Sequence, residues 1–89
     1  MRAIITVIGK DKVGIIAGVS GELSSMKVNI LDISQTIIQE YFTMIMLVDM
    51  GKSNVSFEGI KDALNKKGEE LGVSIRIQHE EIFESMHRI

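Results

Sequence analysis

Two stretches of the chain, Ala3–Ile8 and Phe42–Met50, are apolar at odd and at even positions alike. A strand with one wet side alternates, so both stretches must be strands covered on two faces, at the centre of a sheet. In the first, Ala3, Ile5 and Val7 oppose Ile4 and Ile8; in the second, Phe42, Met44, Met46, Val48 and Met50 oppose Ile45 and Leu47. The other segments supply edges and cover. From Val13 or Gly14 to Met26, the residues Ile16, Val19, Leu23 and Met26 recur at three and four positions, the stripe of an amphipathic helix. Val28–Ile38 is Ile-rich but broken by Asp32, Ser34, Gln35 and Thr36, which suits an edge strand. A hairpin turn is expected at Glu40-Tyr41.

Beyond Met50, the run Gly51-Lys52-Ser53-Asn54 is a loop, and Ser53, Asn54 or Ser56 can cap the helix that follows. That helix is expected to bury Phe57, Ile60, Leu64 and Leu71, to carry an exposed Asp62–Lys66 pair, and to stop at Gly72. Val73–Gln78 alternates as a second edge strand, and Glu80–Ile89 places Ile82, Phe83, Met86 and Ile89 on one side of a short C-terminal helix. Strand, helix, strand, strand, helix, strand is the order of an α+β, ferredoxin-like βαββαβ sandwich: a four-stranded antiparallel sheet with two helices on one face. Such a sheet leaves its second face open. Because the central strands are apolar there too, a homodimer is expected.

With 89 residues the chain suffices for one domain, 1–89, with 80–89 as its tail. A net charge of −2, with no basic run longer than Lys66-Lys67, gives nucleic-acid binding little support. The absence of cysteine excludes a disulfide framework and a thiolate metal site. The apolar run after Arg2 is too short for a signal segment or a membrane span, so a cytoplasmic protein is expected.

Chemistry is concentrated in Gly9–Met26. Gly9 and Gly14 have the spacing of a P-loop, but Ile15 and Ile16 stand where lysine and a hydroxyl residue are required. Gly14, Gly18 and Gly21, spaced four and then three apart, fail the dinucleotide fingerprint and instead share a helix face, which points either to close packing or to approach by a ligand or partner. No catalytic constellation is present: Ser20, Ser24 and Ser25 lack a neighbouring histidine, and His79 and His87 are spaced too loosely for a metal site. An enzyme, a metal and a cofactor are therefore not expected. The methionines of the second apolar strand read as adaptable core filling.

The pattern D-K-V-G-I-I-A-G-V at Asp11–Val19, followed by V-N-I at Val28–Ile30, resembles the ACT domain, a family of small regulatory amino-acid-binding modules. Asp11, Lys12, Gly14, Ile15, Val28, Asn29 and Ile30 match the family pattern. Val13 replaces a common proline, and Lys27 a common glycine. The resemblance implies an effector site between two domains, made from the turn after the first strand and the position of Asn29. A free amino acid would place its carboxylate on the N–H groups at Val13, Gly14 and Ile15 and its ammonium near Asp11 and Asn29. Similarity to free-standing ACT proteins and to the regulator of the glycine cleavage system implies a homodimeric amino-acid sensor signalling through a protein partner. The other class left open is a ligand-free dimerisation or protein-interaction module.

Overall fold

A computed structural model describes residues 1–10 and 13–81. Its elements are β1 (Arg2–Lys10), α1 (Ile15–Ser25), β2 (Asn29–Ile38), β3 (Tyr41–Asp49), α2 (Phe57–Leu71) and β4 (Val73–His79). The strands form one sheet in the order β2-β3-β1-β4, every neighbouring pair antiparallel. The two strands apolar on both faces are thus the central ones, as expected, and the two alternating or interrupted strands are the edges. The expected tail helix falls, from residue 82 onward, outside the described residues.

Register fixes the two faces, because directly opposed residues point the same way. Ala3, Ile5 and Val7 pair with Val48, Met46 and Met44, and all six are fully buried under the helices. Ile60 and Leu64 from α2 and Ile15, Val19 and Leu23 from α1 close this core. Met44 and Met46 are core, not surface. On the opposite face Ile4 and Ile8 pair with Leu47 and Thr43, and Ile45 pairs with Thr6. The flanking strands are polar over most of their length there: Ser74, Arg76 and Gln78 on β4, and Asp32, Ser34 and Thr36 on β2, with Ile38 the apolar exception at the end of β2. The apolar ground of the open face is therefore narrower than the two-sided central strands alone suggest.

Several local expectations shift by a residue. The hairpin turn is Gln39-Glu40, with Tyr41 already paired to Ile38, because a two-residue hairpin needs positive φ and Gln39 supplies it at 56°. The apolar stripe of α1 begins at Ile15, 2% exposed, whereas Ile16 is 41% exposed on the flank of the helix. On α2 the buried residues are Ile60, Leu64 and Gly68, while Phe57 and Leu71 are half-buried at the two ends. Among the described residues the ion pair of α2 is not Asp62–Lys66. Lys67 instead meets Glu70 at 2.9 Å and reaches Glu22 of α1 at 3.8 Å, and the adjacent Glu70 carboxylate holds its pKa above the usual lysine range.

Candidate functional site

The turn after β1 ends at Gly14, whose φ of 95° is open to glycine and strained for other residues. The first helical bond of α1 runs from the Gly18 N–H to the Gly14 carbonyl, at 2.8 Å. The N–H groups of Ile15, Ile16 and Ala17 precede it and have no partner among the described residues. Among the described residues no side chain caps them, and the first turn of α1 carries no acidic residue. Val13, fully exposed, and Ile16 form an apolar rim beside these donors, while the Ile15 side chain is turned into the core and offers only its backbone. Asp11 lies outside the described residues.

Asn29 stands at the other end of α1. It opens β2, is exposed, and pairs with Asp49 at the edge where β1 begins. Eleven helical residues separate the Gly14 turn from this end, a span of about 16 Å. The carboxylate and ammonium of an amino acid lie only a few ångströms apart, so within one chain the two halves of the expected site are not brought together.

Beside Asn29 lies a groove of about 820 Å³, lined by Ser20, Gly21, Ser24 and Lys27 from α1 and its end and by Asp49 and Lys52 from the end of β3 and the loop after it. Sequence reasoning singled out Asn29 but missed this groove. The signal for it was Lys27. The end of α1 is a Schellman motif: the Val28 N–H donates to the Leu23 carbonyl and the Lys27 N–H to the Ser24 carbonyl, both at 3.0 Å. This motif favours glycine at its left-handed position, and Lys27 occupies it with φ 59°.

The helix glycines divide in two. A Cβ on Gly18 would come within 3.0 Å of the Leu71 side chain, so Gly18 serves the packing of α1 on α2. A Cβ on Gly21 would meet nothing within 4 Å, and Gly21 faces the groove. Asp49, also in the groove wall, accepts the Gly51 N–H at 2.8 Å and lies 3.6 Å from the N-terminal amine. The Gly51 bond, aided by that amine, draws its pKa below the usual carboxylate value.

The sequence profile of the ACT domain matches residues 2–78. The chain belongs to the ACT domain family. Members are in general regulatory and bind amino acids. A UPF0237 protein from Clostridium acetobutylicum is 70% identical over the full length of both chains. An ACT domain protein from Streptococcus pneumoniae has the same fold at a TM-score of 0.82 and 48% identity, with 94% of each chain covered. The ligand-free regulatory subunit of an aspartate kinase from Thermus thermophilus shares the fold alone, at a TM-score of 0.68 and 23% identity over 86% of this chain and 50% of that one.

Proposed function

We propose that this ACT domain is a non-enzymatic sensor of a free α-amino acid, working as a homodimer and signalling through a protein partner. The observation that carries the reading is the first turn of α1, acid-free and uncapped among the described residues, whose backbone donors suit a carboxylate. Asn29, with Asp11 by family resemblance, supplies acceptors for the ammonium. The separation of Gly14 from Asn29 along α1 supports a site shared between two copies, with the turn of one facing the Asn29 of the other. The long edge of β2 is a means of bringing two copies together: Leu31, Ile33, Ile37 and Ile38 are exposed along it, and Asp32 is its only charge.

A thermal-shift panel of amino acids is the first test. Ligand at a hundred times its Kd adds about 2.7 kcal/mol of stability. The shared site is tested by mixing. Val13→Asp, at a fully exposed position, places a carboxylate beside the turn and should abolish binding without unfolding the domain. Asn29→Ala should weaken it by about 1.5–3 kcal/mol. A mixture of the two variants should recover binding at one site per mixed pair. Failure to recover would mean that each chain binds alone; no binding by any amino acid at millimolar concentration would favour the interaction module.

A further inference from the structure

The groove beside Asn29 carries more positive charge than the recognition of an α-amino and an α-carboxyl group requires. Lys27 and Lys52 both line it, one from the end of α1 and the other from the loop after β3, and neither has a carboxylate partner among the described residues. The acid in the lining, Asp49, is already engaged by the Gly51 N–H and the N-terminal amine. The Ser24 hydroxyl has no hydrogen-bond partner among the described residues, whereas the Ser20 hydroxyl donates to the Ile16 carbonyl at 2.8 Å. Ser24 is thus free to donate alongside the two ammonium groups. Two residue choices here oppose local stability. Lys27 holds a left-handed backbone that glycine would adopt without strain, and Gly21 leaves open a helix position where alanine would fit. Both choices serve the groove: Gly21 keeps its wall free of a side chain, and Lys27 puts a cation on its rim.

We propose that this groove receives the side chain of the ligand and that the ligand is an amino acid with an acidic side chain, its second carboxylate held between Lys27 and Lys52. The proposal rests on the amino-acid reading above and adds the class of ligand. With the ammonium of the ligand at Asn29, its side chain lies beside the groove that starts there. Two cations and a free hydroxyl then distinguish a carboxylate from the isosteric amide, because an amide gains no charge-assisted bond.

Calorimetry on the full chain with glutamate, aspartate, glutamine, asparagine, serine and glycine tests this directly. One of the two acidic amino acids should bind at least about tenfold more tightly than its amide, with a margin that shrinks as salt is raised. Lys27→Gly is the decisive variant, since it relieves the backbone while removing the cation. The domain should melt at a higher temperature, and the acid-over-amide margin should fall towards unity. Lys52→Gln should lower the margin without the rise in melting temperature. Equal or tighter binding of neutral amino acids, or an unchanged margin in both variants, would overturn the assignment of ligand class and leave amino-acid sensing intact. No binding by any of the six would overturn the assignment of ligand class, and amino-acid sensing falls only if the full panel of amino acids also fails to bind.

Discussion

The two helices of this domain solve the same packing problem with opposite local chemistry. The start of α2 is capped by the Ser56 hydroxyl, which accepts the Gly59 N–H at 3.0 Å, and Glu58 sits in its positive first turn. Its end is closed by Gly72 in the left-handed conformation. In α1 the first turn has no acid and, among the described residues, no cap, the left-handed closing position holds lysine, and an interior glycine faces open space. Both ends of α2 are closed by residues that favour the helix. In α1 these three features do not favour the helix, and they fall on the open turn or the groove, whereas its other interior glycine, Gly18, packs against Leu71. Helix α2 is built as scaffold, whereas α1 sets helix stability against access to its two ends.

The largest test of that contrast is in the buried faces. Leu64→Ala in α2, at a site 1% exposed, should cost about 2–5 kcal/mol in chemical denaturation. Ile16→Ala on the exposed flank of α1 should stay within about 0.5 kcal/mol. An equal loss at both positions would mean that the flank of α1 is already covered in the free protein, as by a second copy.

Glycine substitutions should differ in sign. A Cβ on Gly68 would stand 2.7 Å from the Val73 carbonyl oxygen, so Gly68→Ala should cost about 1–3 kcal/mol as α2 is pushed off β4. Gly21→Ala should raise stability by about 0.5–1 kcal/mol, because its Cβ meets nothing. If it destabilised instead, the groove would be occupied in the free domain.

The helix ends give the smaller effects. Ser56→Ala should lower stability by about 1 kcal/mol through loss of the cap. At the far end of α1, Lys27→Gly should act in the opposite direction by about 0.5–1 kcal/mol, read as a rise in melting temperature. A fall would mean that the ammonium contributes more to the fold than its backbone costs, and the contrast between the helices would fail there.

Much of this was legible in the chain. Two-sided apolarity placed Ala3–Ile8 and Phe42–Met50 at the centre of the sheet, and the polar interruptions of Val28–Ile38 placed it at an edge. Those are properties of a few consecutive residues, and periodicity reports them directly. The short motif around Gly14 was enough to raise the ACT resemblance that the profile over residues 2–78 bears out. The misplacements were of one kind. Ile16 replaced Ile15 in the expected stripe, and Tyr41 replaced Gln39 in the expected turn, because neighbouring apolar or polar residues leave a pattern free to slip by one.

By itself, then, the sequence determined the order of elements, the central and edge strands, and the backbone turn at Gly14, since each depends on local spacing and on the conformations open to one residue. Tertiary structure alone decided which of Ser53, Asn54 and Ser56 caps α2, and why Gly18 packs while Gly21 faces a groove. It also decided that Gly14 and Asn29 lie at opposite ends of α1, with Lys27 and Lys52 both lining one groove. These are distances between segments remote along the chain, set by how α1 and α2 pack on the sheet, and no pattern within a single segment encodes them.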